Sequence, residues 1–184
     1  MNKKFTVALS VASLLLAVAT LSVQAQTKTA TPARYKDEVE ANPTADADIK
    51  VVSDYINMMV AGDAAKAQLL LASNYKGYGP SAADSFNTEK VMSNWKQTYA
   101  TQMNRKLSFV YETFRVKSGK LKGNWVSIWG DYSFTQNGKK AGFPVQYTAH
   151  VTNGKIDADR IYYDRLFVLQ TLGYKVTPPA AAAK

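Results

Sequence analysis

The chain has 184 residues, with 23 Lys and Arg against 14 Asp and Glu and a formal charge of +9. It contains no cysteine, which excludes disulfides, thiolate metal sites and a lipid-modified N-terminal cysteine. The basic residues form no run of five or more, so the charge reads as solubility rather than as a nucleic-acid surface, and nucleic acid is not an expected partner.

Residues 1–25 begin with Lys3 and Lys4, continue in an apolar stretch from Phe5 to Leu21, and end on the small residues Val23 and Ala25. That order predicts a secretory signal peptide cut after Ala25. As a membrane anchor the stretch is marginal for about 30 Å of hydrocarbon, and Ser10, Ser13 and Thr20 interrupt it. Cleavage leaves 159 of the 184 residues, removes two lysines, and lowers the formal charge from +9 to +7. The mature chain is long enough for one good core, and its expected location is the periplasm or the exterior, with no membrane attachment after cleavage. Residues 26–43, rich in Thr, Ala and Pro, read as a flexible linker, and 177–184, TPPAAAAK, as a disordered tail. The folded domain is expected over 44–176.

Within it, Ile49, Val52, Ile56, Met59 and Val60 recur at helical spacing, with Asp46 and Asp48 in the first turn and Gly62 at the end. Asp63 opens a second short helix, Ala64 to Leu71, and the Gly and Pro of NYKGYGPSAAD then predict a loop. A third helix carries Val91, Met92, Trp95, Tyr99 and Met103 on one stripe. From Leu107 the period changes to two. Four strands follow, roughly 107–117, 123–135, 141–152 and 155–163, separated by Ser118-Gly119, Asn137-Gly138 and Asn153-Gly154. Asn-Gly suits a two-residue hairpin because both central residues of a type I′ turn need positive φ. Three N-terminal helices before an antiparallel meander predict an α+β domain.

Counting outward from two-residue turns sets Gln136 opposite Lys139 and Thr152 opposite Lys155. One face of the last three strands then carries Val126, Ile128, Tyr132, Tyr147, Ala149, Ala158, Arg160 and Tyr162. The other carries Trp125, Trp129, Asp131, His150, Asp157, Asp159 and Ile161. The first face is the more apolar and is expected to receive the helices. Tyr132, Tyr147, Arg160 and Tyr162, with Trp95 from the third helix, are then the expected contacts of a small-molecule ligand. Arg160 among tyrosines would favour a ligand that carries a carboxylate or a polarised carbonyl, since a guanidinium between apolar walls needs an acceptor. Trp125, Trp129 and Ile161 on the second face predict a homodimer interface.

The ending NGKIDADRIYYDRLFVLQTLGY, with Gly154, Lys155, Ile156, Asp164, Leu172 and Gly173, resembles the nuclear transport factor 2-like superfamily and, within it, the SnoaL-like, polyketide cyclase-like group. Trp95 and the loop Gly77 to Pro80 agree more loosely. The resemblance spans nearly the whole mature domain. It implies a cone of helices on a curved sheet with a cavity between them, commonly dimeric through the sheet. It also implies a choice among cyclases, isomerases, dehydratases, epoxide hydrolases and binding modules without chemistry, which fold alone does not make.

Three residues are candidates for a general base. His150, the only histidine, sits opposite Asp157 in the counted register, but on the face away from the cavity. Asp131 shares that face. Asp164 ends the last strand on the cavity side, where a carboxylate also serves to bind backbone N–H groups or Arg165. One histidine and no cysteine leave no metal site worth arguing, and no cofactor motif occurs. The sequence therefore favours an exported, non-catalytic ligand-binding domain. The alternatives are an isomerase, cyclase or hydratase using one of these bases, and a protein-interaction module of the cell envelope.

Overall fold

The computed structural model describes residues 34–177. The expected signal peptide, the first part of the linker and the tail beyond Thr177 lie outside the described residues. The elements in order are α1 (Tyr35–Glu38), β1 (Val39–Glu40), α2 (Ala45–Ala61), α3 (Ala64–Gln68), β2 (Leu71–Tyr78), α4 (Thr88–Thr101), β3 (Met103–Val116), β4 (Gly123–Gln136), β5 (Lys139–Thr152), β6 (Lys155–Tyr162) and α5 (Arg165–Thr171). They form an α+β fold around one six-stranded sheet of order β1-β3-β4-β5-β6-β2.

The helical stripe of α2 buries Val52, Tyr55, Ile56 and Met59, and the helix ends where Gly62 takes φ 108° and donates its N–H to the Met58 carbonyl. Asn87 caps α4 by accepting from Lys90 N at 2.9 Å. The two Asn-Gly turns have positive φ at all four central residues, as a type I′ hairpin requires. Both hairpins take the counted register at their tips, Gln136 against Lys139 and Thr152 against Lys155.

The helices do not all precede the sheet. Residues 71–78, read as the end of a helix and a loop, form the edge strand β2, parallel to β6. Parallel pairing with a partner some eighty residues on leaves no hairpin signal in the sequence. Helix α5 follows the sheet, and Val168 and Leu172 pack it on Phe134, Ala141 and Phe143. Part of the expected linker is also ordered. β1 pairs with β3, and buried Asn42 donates to Asp48 Oδ2 at 2.9 Å and to Thr113 Oγ1 at 2.7 Å. Asp48 Oδ2 also accepts from Thr44 and Asn124, so a buried carboxylate ties the start of α2 to β4.

The main correction lies in β6. The β5–β6 register shifts between His150 and Val151, so that His150 faces Ala158, Ala149 faces Asp159 and Tyr147 faces Ile161. Asp157 is the extra residue of a β-bulge, and every later side chain of β6 changes face. Asp159 and Ile161 point into the core, while Arg160 and Tyr162 are exposed on the outside. The apolar pattern itself demands this. Ile156 and Ile161 are an odd number of residues apart, so both can point inward only if a residue is looped out between them.

Candidate functional site

Between α2, α4, α5 and the inner face of the sheet lie two neighbouring lobes of a cavity, which share Ile56, Trp95, Thr98, Tyr147, Ile161 and Tyr163 as walls. The inner lobe, about 200 Å³, is walled by Leu107, Phe109, Ile128, Phe134, Phe143 and Val145 among others. The outer lobe, about 530 Å³, opens past Tyr78, Asp84, Lys90 and Arg165. Aliphatic and aromatic walls with a few placed polar groups are the usual make-up of a small-molecule site.

The floor of the outer lobe holds Asp159, which is 5% exposed. Its Oδ2 accepts from the Tyr75 and Tyr147 hydroxyls, each at 2.7 Å. Burial pushes its pKa from 3.8 up to about 6, and the bonds from Tyr147, Tyr75 and the Tyr78 N–H hold it down against a larger rise. The Tyr147 and Tyr75 phenols are themselves pushed up, first by burial and then by the neighbouring Asp159 charge. Tyr55 stacks on Tyr147 with ring centroids 6.3 Å apart, and burial raises it too. These tyrosines stay protonated at any physiological pH, and two of them, Tyr75 and Tyr147, donate to the same oxygen of Asp159, Oδ2. The cluster fixes the cavity floor.

At the far end of the inner lobe the Tyr132 hydroxyl donates to Gln102 Oε1 at 2.8 Å, which leaves the Gln102 amide N–H groups as donors. Burial raises the Tyr132 pKa as well.

Of the ligand contacts expected from the sequence, Trp95, Tyr132 and Tyr147 line the cavity and are brought together. Arg160 and Tyr162 are not: the bulge turns them outward, where the Arg160 guanidinium lies 4.7 Å from the Tyr78 ring centroid. In the expected interface, Trp129 is 41% exposed on the outer face. Trp125 is covered, its Nε1 donating to the Leu121 carbonyl at 2.7 Å with the His150 ring 4.9 Å away, and Ile161 faces the cavity. The apolar row actually open on the outer face is Val110, Trp129 and Tyr162, neighbours across four strands through Gln146.

The candidate bases do not reach the inner cavity. His150 stays on the outer face, with Nδ1 2.5 Å from Asp157 Oδ1 and Nε2 3.2 Å from the Lys122 carbonyl. Asp131 is exposed on the same face. Asp164 caps α5, its Oδ1 accepting from Phe167 N at 2.8 Å. Among the described residues no three His, Asp or Glu side chains gather to hold a metal ion.

Sequence reasoning missed Asp159, Tyr75 and Tyr55. Asp159 was sorted outward by a register without the bulge, and Tyr75 lies on the strand read as a loop. The odd spacing of Ile156 and Ile161 was the one signal that would have placed Asp159 inside.

A six-stranded sheet with helices and a cavity against its inner face defines a class of fold, and comparison with solved structures agrees. A protein from Catenulispora acidiphila described as having a ketosteroid isomerase-like fold, in complex with trimethylamine, superposes with TM-score 0.56 at 17% identity, over 70% of this chain and 98% of its own. A putative polyketide cyclase from Xanthomonas campestris gives 0.56 at 14%, over 68% and 97%. An NTF2-like protein from Burkholderia thailandensis gives 0.56 at 18%, over 69% and 98%. No sequence-family model matches the chain, and no curated protein matches it by sequence. The likeness shows that the chain has the nuclear transport factor 2-like, ketosteroid isomerase-like fold.

Proposed function

We propose that the protein is an exported binding domain that holds a small, largely apolar molecule between its sheet and helices and performs no chemistry on it. The observation that carries this reading is the contrast inside the cavity. Its walls are aromatic and aliphatic, and the carboxylate on its floor is held through Oδ2 by Tyr75 and Tyr147. A general base needs a free lone pair within hydrogen-bond reach of the ligand, and Asp131, His150 and Asp164 sit elsewhere. Export rests on residues 1–25 and their signal-like order of charge, apolar core and small residues. The exposed row Val110, Trp129 and Tyr162 supports a second element of the proposal, pairing of two copies through their outer faces.

The test is native mass spectrometry of the exported protein beside Thr98→Trp, which fills the junction of the two lobes, together with fluorescence of anilinonaphthalene sulfonate added to each. The wild type is expected to carry a small molecule or to enhance the dye, and the variant, folded by circular dichroism, to do neither. Equal dye signals with no bound molecule in either protein would overturn the reading.

A further inference from the structure

Resting on that reading of the cavity, we propose that the outer lobe takes a small organic cation with a quaternary ammonium head, seated between the aromatic walls and the Asp159 carboxylate on the floor. Asp159 is a buried charge without a counter-ion. It is 5% exposed, and among the described residues no Lys, Arg or His pairs with it. Its partners are the Tyr75 and Tyr147 hydroxyls, both on Oδ2, and the Tyr78 N–H. These donors are neutral, so they hold the carboxylate in place without cancelling its charge. A buried charge held by dipoles alone still attracts an ion of opposite sign, and more strongly than a surface group does, because little water lies between them.

The cations of the lobe stand elsewhere. Lys90 and Arg165 are exposed at the mouth, where solvent screens them, and Arg165 Nη1 lies 3.8 Å from Asp84. Neither is among the groups that act on the Asp159 charge. The two cations and two carboxylates of the lobe therefore balance in number but not in depth, with negative charge on the floor and positive charge at the mouth. The walls fit the same ligand. Tyr55, Tyr75, Tyr147, Tyr163 and Trp95 line the lobe, and aromatic rings attract a cation through their faces. A quaternary ammonium suits such walls better than a primary one: its methyl groups pack on rings, whereas three N–H donors need acceptors that aromatic walls do not supply. The inner lobe, with no charged side chain among its described walls, gives a cation nothing comparable.

Protonation of Asp159 removes the attraction. Its carboxyl titrates at about 6, so a cation should bind about fivefold more tightly at pH 7 than at pH 5, and a neutral molecule of the same shape equally at both. The phenols that share the lobe, Tyr55 from α2, Tyr75 from β2, Tyr147 from β5 and Tyr163 beyond β6, stay protonated across that range. Tyr78, Asp84, Lys90 and Arg165 face the mouth.

The experiment is titration of the isotopically labelled protein, followed by amide shifts of the lobe residues, at pH 5 and pH 7. The probes are choline, its neutral isostere 3,3-dimethylbutan-1-ol, the anion 3,3-dimethylbutanoate, and ethanolamine, and the series is repeated with Asp159→Asn. At pH 7 choline should bind about tenfold more tightly than the alcohol, and more tightly than ethanolamine, with the anion weakest. That advantage over the alcohol should shrink to about twofold at pH 5 and in the variant. The pH comparison needs no variant, so it stands even where Asp159→Asn does not fold. Equal binding of choline and the alcohol at pH 7, a preference for the anion, or an advantage unchanged at pH 5 would overturn the cation site while leaving the cavity as a ligand site. Ethanolamine binding as tightly as choline would overturn the quaternary head. No shift of the lobe residues with any of the four would overturn both the cation site and the ligand cavity.

Discussion

The two halves of β6 are one strand sorted in opposite ways. Before Asp157, even-numbered residues face the core, with Ile156 fully buried; after it, odd-numbered residues do, with Asp159 buried and Ile161 against the cavity. One looped-out residue thus exchanges a guanidinium for a carboxylate inside the cone. A cavity floored by Arg160 would present a cation deep in the fold; one floored by Asp159 presents a carboxylate held by two tyrosines. The lesson is that side-chain parity along a strand, not composition, decides which chemistry a cavity contains.

The comparison is broken most severely by inserting one alanine between Ala158 and Asp159. The bulge then no longer brings both isoleucines inside, and Arg160 is forced toward the core. We expect more than about 4 kcal/mol of lost stability and no cooperative melt by circular dichroism. Asp159→Ala comes next. It leaves two buried phenols without their acceptor, at about 2 kcal/mol each and about 4 in all by urea titration, whereas Asp157→Ala on the solvated side should cost about 1.

Acid titration sharpens the same contrast. Asp159 holds its proton more tightly folded, at about 6, than at the ordinary 3.8. Its contribution is therefore fully present below about pH 4 and is lost as pH rises through about 6. Relative to Asp159→Asn, the wild type should lose about 2 kcal/mol of unfolding free energy between pH 4 and pH 7. A difference that stays flat across that range would mean the carboxyl is not buried. Smaller still is the pair of conservative changes on the two faces. Tyr147→Phe should cost about 2 kcal/mol by removing a bond to the charged carboxylate, and Tyr162→Phe should stay within about 0.5. Arg160→Ala, which loses only an exposed contact with the Tyr78 ring, belongs near 0.5 to 1 kcal/mol.

Much of the fold was legible from local signals. The stripes of α2 and α4 and the Asn-Gly turns at 137–138 and 153–154 carry their own geometry, and the β4–β5 register counted from its turn holds from Gln136 to Asn124. What was not legible depends on partners distant in the chain. β2 becomes a strand only because β6 lies beside it, and Asn42 is drawn out of a Pro- and Thr-rich segment by the buried Asp48 and Thr113. Of the site, Trp95, Tyr132 and Tyr147 were found from periodicity, and Asp159 was lost to the single bulge, whose only trace is the misfit between Ile156 and Ile161.

Nuclear Overhauser contacts across β5 and β6 in the isotopically labelled protein read out that bulge. With the bulge in place, contacts join Ala149 to Asp159 and Tyr147 to Ile161. Contacts joining Ala149 to Ala158 and Tyr147 to Arg160 would return the arginine to the cavity and contradict it.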